Sequence, residues 1–138
     1  MQRIDVVAAV IIRDGRILLT QRAPTGSYPW LFESPGGKVE PGETHEEALA
    51  RELREELAVE ATVLGSIDTL PPVDLPPRDG AIPRRVYFMR ADIGWQVSIR
   101  RVAVDHGWFT PGVLMGLRMT PANEAHREEL VALVRASQ

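Results

Sequence analysis

Ile4 to Ile12 carries valine, isoleucine or alanine at nearly every position, and Arg16-Ile17-Leu18-Leu19-Thr20-Gln21 repeats that apolar density after Arg13-Asp14-Gly15. Two β-rich runs around an Asp-Gly pair predict a hairpin. Ala23 to Pro29 holds proline, glycine and serine and reads as a loop, with Trp30, Leu31 and Phe32 expected to anchor it on the core. After Pro41-Gly42 the period changes. Leu49, Leu53 and Leu57 recur four apart, and Thr44 with Glu47 three residues on has the capping-box pattern, so a helix is predicted from Thr44 to about Ala58. Ala61 to Leu70 reads as a strand. Residues 71–83 hold five of the chain's eleven prolines and read as a loop with little regular structure. Arg85 to Asp92 reads as a strand, Trp108-Phe109 as a short one, and Pro121 opens a helix to about Val134 with Leu130, Val131 and Val134 on its apolar side. Strands mixed with two substantial helices predict a mixed sheet with helices packed on it, in one domain over residues 1–138.

Composition narrows the function. There is no cysteine, which excludes a disulfide framework, a thiolate nucleophile and a cysteine zinc site, and fits a reducing cytoplasm. No apolar run is long enough to span a bilayer, and the N-terminal apolar run is broken by polar residues without a small-residue cleavage site, so neither a membrane span nor a signal peptide is expected. A net charge of −3 argues against binding a nucleic-acid polymer, which needs a basic footprint. A small phosphorylated ligand stays open, because a metal ion can supply positive charge locally.

The chemistry concentrates in PGGKVEPGETHEEALARELREELAV, residues 35–59. On a helix Glu52, Glu55 and Glu56 share a face, since positions i, i+3 and i+4 are neighbours. Carboxylates so placed repel one another. A hard divalent cation relieves that repulsion, Mg²⁺ being held typically by one or two carboxylates plus substrate phosphates. The adjacent Gly36 and Gly37 let the backbone approach a ligand closely. Read alone, the same acids are an ordinary solvated face, partly compensated by Arg51 and Arg54.

The rest of the stretch resembles the Nudix box: glycine, five residues, glutamate, seven residues, then Arg-Glu-aliphatic-x-Glu-Glu-x-Gly-aliphatic. Here those positions are Gly37, Glu43, Arg51, Glu52, Leu53, Glu55, Glu56, Ala58 and Val59. The one departure is Ala58 for glycine, at the helix C-terminus, where glycine favours a left-handed cap. It bears on how the helix ends, not on the acids. The resemblance implies a Nudix-like α/β/α sandwich and cleavage of a nucleoside diphosphate linked to another group. It also implies Mg²⁺, with Mn²⁺ as the alternative ion, on Glu52, Glu55, Glu56 and the Gly36 carbonyl. Arg51 would hold the glutamates, Glu43 would support the loop and helix, and a metal-activated water would attack phosphorus.

IDVVAAVIIRDGRILLTQR and PANE further resemble the MutT-type branch, which hydrolyses nucleoside triphosphates to monophosphate and pyrophosphate. That resemblance implies base contacts from Arg22 and Asn123. The plainer alternatives are a surface strand residue for Arg22 and a helix cap for Asn123. Tyr87 or Phe88 is a further candidate for the base pocket, with strand alternation admitting only one; either would otherwise be core. The expected partner is therefore a small nucleotide, with no membrane and no polymer, and the oligomeric state is open. An oxidised purine triphosphate such as 8-oxo-dGTP is favoured over a pyrimidine triphosphate. An ADP-ribose or dinucleotide substrate, or a regulatory nucleotide-binding module without catalysis, stand as alternatives. Relatives carry a further glutamate before the late Trp-Phe segment. Here only Asp105 and His106 stand near, leaving them or Glu55 as candidates for a general base.

Overall fold

Asp14 and Gly15 take positive φ of 57° and 70°, as the two central residues of a type I′ turn must, and they join β2 (Ile12–Arg13) to β3 (Arg16–Gln21) in the computed structural model. The structure describes residues 2–77, 82–96 and 106–138, and the backbone of 105. The predicted hairpin is present, but its first arm is shorter than the apolar run. The run breaks at Ile11, so that β1 (Ile4–Val10) lies in one sheet and β2 in another.

The first sheet has the order β5-β1-β8-β6, with β5 Gly36–Lys38, β6 Thr62–Ser66 and β8 Arg84–Asp92, and β7 (Val73–Leu75) also on β8. β1 and β8 run parallel, Val6 opposite Val86 and Ala8 opposite Phe88, and the other pairs are antiparallel. This is the expected mixed sheet. The second sheet centres on β3, flanked by β2 and β4 (Phe32–Glu33) and by β9 (Asp105–Phe109).

From Val6 to Val10 β1 is apolar because both its faces are covered there. Val7, Ala9 and Ile11 meet Ala48, Leu49, Leu53 and Leu57 of α1 (His45–Leu57). Ala8, Val10, Val86 and Phe88 on the opposite face meet residues of three helices, α2 (Pro111–Gly116), α3 (Pro121–Ala125) and α4 (Arg127–Ala136). Helices on both faces make the α/β/α sandwich.

Four expectations need correction. Trp30 is 52% exposed and does not anchor its loop; Phe32 alone reaches the core, edge-on to Phe109 at 5.1 Å. The strand read over 61–70 is only β6. The proline-rich stretch contains β7, paired with β8 through residues the prolines leave free; its residues 78–81 lie outside the described residues. The helix read from Pro121 is two helices, broken at His126 (φ −114°), whose ring Nε2 bonds the Pro71 carbonyl at 2.7 Å while its edge meets Phe88. α2 was not foreseen, although Thr110 caps it and Pro111 opens it, the two residue types that favour a helix start.

Candidate active site

α1 begins where Thr44 accepts the Glu47 N–H and Glu47 accepts the Thr44 N–H, the capping box expected from the sequence. It ends at Ala58, which takes the left-handed conformation (φ 56°) at the position where glycine was expected. Leu49, Leu53 and Leu57 are fully buried, so the carboxylates one position round the helix lie along the edge of a buried seam.

Close approach explains the two glycines. A Cβ on Gly36 would stand 1.9 Å from the Val7 carbonyl oxygen, and one on Gly37 would stand 2.4 Å from the Glu52 carboxyl carbon. Glu52 therefore lies directly against the glycines of β5. Burial pushes its pKa up in spite of Arg51.

Arg51 organises the acids. Nε and Nη2 donate to the two oxygens of Glu43 at 2.6 and 2.9 Å, Nη1 to Glu52 at 2.9 Å and Glu55 at 3.2 Å, and Nη2 also to the Lys38 carbonyl at 3.0 Å. This uses the full donor fork of a guanidinium. The Arg51 hydrogen bond, helped by the Glu40 N–H, holds the Glu43 carboxyl at about 2, and Arg51 is itself shifted up. Glu43 thus braces the turn before the helix to its middle.

A cleft of about 390 Å³ runs from β5 to the other sheet. Gly36, Gly37 and Lys38 border it, Val6, Ala8 and Val86 supply an apolar wall, and Arg22 and Asn123 line it farther on. The structure thus brings Arg22, Asn123 and the two glycines of β5 together. Arg22 is neither a plain surface residue nor loosely held: Nε donates to the Ser27 carbonyl at 2.7 Å and Nη1 to Glu33 at 3.0 Å. Asn123 does not cap its helix. It is 2% exposed and bonds Ser34 twice.

Tyr87 and Phe88 do not line this cleft. Strand alternation sends Tyr87 to the α1 face, its ring 4.3 Å from that of His45, and Phe88 is core beneath His126. Val86 stands at the cleft in their place. Both aromatics border a separate hollow with His45 and Pro71. Sequence reasoning missed Ser34, Tyr28, Arg84 and Lys38, which also line the cleft. Of these only Lys38 had a local signal, its place beside the two glycines. His106 pairs with Thr20 in β9 away from the cleft lining, and the Asp105 side chain lies outside the described residues.

Among the described residues no three His, Asp or Glu side chains form a metal-holding group, and the Arg51 Nη1 takes the cationic place between Glu52 and Glu55. The donor chemistry nonetheless fits a hard divalent ion: carboxylates and backbone carbonyls only, one carboxylate already seated on the glycines of β5, and a 61% exposed Glu55 side chain with room to turn. No helix among the described residues is long and apolar enough to cross a membrane.

A model of the NUDIX domain matches residues 1–133. Over 63 residues, 46% of this chain and 47% of the relative, the chain is 59% identical to a CTP pyrophosphohydrolase of Escherichia coli strain K12. Over 62 residues, 44% of this chain and 46% of the relative, it is 50% identical to an 8-oxo-dGTP diphosphatase of Haemophilus influenzae. The matched stretch spans about half the length of these curated relatives. The solution structure of the E. coli ORF135 protein superposes with a TM-score of 0.79 at 33% identity, over 100% of this chain and 94% of that one.

Proposed function

This chain belongs to the Nudix family, whose hydrolases depend on divalent metal, and we propose that it is a Mg²⁺-dependent nucleoside triphosphate pyrophosphohydrolase. It acts as one domain over residues 1–138 on a small nucleotide, releasing monophosphate and pyrophosphate. A chain without cysteine suits the reducing cytoplasm. The observation that carries this reading is the continuity of one cleft from the glycine strand β5, against which the acidic helix packs, to Arg22 and Asn123. A triphosphate fits such a cleft with its phosphates at β5 and its base at the far end.

In this reading Glu52, Glu55, Glu56 and the Gly36 carbonyl would hold the ion, which when bound would supply positive charge against the phosphates and a more acidic water. The other residues position. Arg51 fixes the carboxylates through four of its hydrogen bonds and the Lys38 carbonyl through the fifth, Glu43 holds Arg51, and Lys38 and Arg84 add positive charge beside the phosphates. Arg22 and Asn123 face the base. A water oxygen bonds to the α- or β-phosphorus and the α–β bridge breaks, its oxygen leaving with pyrophosphate or with the nucleoside monophosphate respectively, while the proton the water loses passes to a base, for which Glu55 is the candidate.

Two readings of the base have support. The PANE segment and the relative named 8-oxo-dGTP diphosphatase favour an oxidised purine. The higher identity to a CTP pyrophosphohydrolase favours a pyrimidine. Incubation with Mg²⁺ and a panel of 8-oxo-dGTP, dGTP, CTP, dCTP, ADP-ribose and diadenosine tetraphosphate tests both, with Glu55→Gln and Glu56→Gln alongside. Monophosphate and pyrophosphate in equal amounts, lost in the variants, is the expected result, and the rates rank the bases. Turnover of ADP-ribose or the dinucleotide alone overturns the substrate class. Tight binding without turnover points to a regulatory module.

A further inference from the structure

Ser34 and Asn123 meet where a strand ladder gives way to a helix. Phe32 and Met119 pair as in parallel strands: the Phe32 N–H donates to the Arg118 carbonyl at 2.9 Å, and the Thr120 N–H to the Phe32 carbonyl at 3.0 Å. Continuing that ladder would have the Ser34 N–H donate to the Thr120 carbonyl. That carbonyl instead accepts the Glu124 N–H at 2.9 Å as α3 begins. The Asn123 side chain supplies the missing acceptor. Its Oδ1 accepts the Ser34 N–H at 3.0 Å, and its Nδ2 donates to Ser34 Oγ at 2.9 Å.

The consequence is an amide that cannot turn over. A backbone N–H only donates, so the atom facing it must be the oxygen. Ser34 is 5% and Asn123 2% exposed, so water competes poorly for either bond. Each amide atom has one bond to Ser34, which leaves one Nδ2 proton and one Oδ1 lone pair in a fixed arrangement. Both residues line the cleft.

We infer that Ser34 is a positioning residue for base selection: its hydroxyl fixes the Asn123 amide and so sets where the remaining donor and acceptor meet the nucleobase. This rests on the reading of the cleft as a nucleotide site. Its backbone N–H alone would hold Oδ1 at one point and let the Nδ2 end swing. The hydroxyl supplies the second point.

The test compares Ser34→Ala, Ser34→Thr and Asn123→Ala across the triphosphate panel, with thermal melts to establish that each variant folds. In Ser34→Ala the ratio of kcat/KM between the preferred base and the next should narrow about 3- to 10-fold, the worth of one neutral hydrogen bond, with the loss falling on KM. Ser34→Thr keeps the hydroxyl and should recover the wild-type ratio. A readout without turnover is the Asn123 side-chain NH₂ signal in NMR of metal-free protein titrated with CMP and dGMP. In the wild type its two protons should respond unequally and differently to the two bases, and in Ser34→Ala that difference should shrink. An equal fall for all bases in Ser34→Ala, or an unchanged ratio there with a narrowed one in Asn123→Ala, overturns the inference. An unchanged ratio in Asn123→Ala removes the base-site reading itself, and the inference with it.

Discussion

The α-carbon of Gly37 faces the carboxylate of Glu52 so closely that a Cβ would lie 2.4 Å from its carboxyl carbon. The φ of Gly37 is not in the left-handed region, so the backbone itself accepts alanine and only the contact opposes it. Gly37→Ala should therefore fold, push Glu52 away from β5 and lower kcat. A misplacement on the order of 1 Å costs about 10²-fold. Steady-state kinetics at saturating Mg²⁺, with a melt to show a native transition, checks this. Wild-type activity in Gly37→Ala would sink the idea that the glycine exists for that carboxylate.

Glu52 is held at a cost to the metal-free protein. Burial raises its pKa above the ordinary 4.5, so folding favours its protonated form. The stability this contributes is present at low pH and is lost as pH rises through the window above 4.5. Glu52→Gln should then raise the metal-free melting temperature at pH 7 while abolishing both turnover and the rise in melting temperature on adding Mg²⁺. A lower metal-free melting temperature in the variant would show that the bond to Arg51 outweighs burial.

Glu43 runs the other way. Arg51 lowers its carboxyl from 4.5 to about 2, so its contribution is complete above 4.5 and disappears as pH falls through about 2. Melting temperatures of wild type and Glu43→Gln, measured from pH 6 to pH 2, should differ most at the upper end and converge at the lower. A gap constant with pH would mean that Glu43 acts through shape and not through charge.

What was legible in the sequence was local. α1, its capping box and its leucine stripe depend on residues three or four apart, and so does the arrangement of Glu52, Glu55 and Glu56. The Asp14-Gly15 turn is equally local. The misses are tertiary. The break at His126 depends on the Pro71 carbonyl 55 residues away, and the role of Asn123 on Ser34, 89 residues away. Tyr87 and Phe88 were candidates because aromatics stack on bases, but the cleft is lined by Val86, while Tyr87 goes to the α1 face and Phe88 to the core. Trp30 stands exposed at a position of positive φ, 68°, in the loop. No pattern around Trp30 marks that conformation.

Ala58 is the position where this chain departs from the Nudix pattern, and the backbone there still does what glycine would do. Its φ of 56° is left-handed, and its N–H closes the helix on the Arg54 carbonyl at 3.1 Å. For an L-residue with a Cβ that conformation costs about 1–2 kcal/mol. Glycine removes the strain but gives the unfolded chain more freedom, worth about 0.4–1 kcal/mol in the opposite direction. Strain is the larger effect, so Ala58→Gly should stabilise the protein by about 0.5–1 kcal/mol, the net of these two effects. Chemical denaturation should show a higher midpoint with an unchanged slope. Because the carboxylates precede the cap, kcat should stay within a factor of about two of wild type, a small difference on the transition-state scale. A lower midpoint would mean that Ala58, which is half-buried, contributes packing that outweighs its backbone strain.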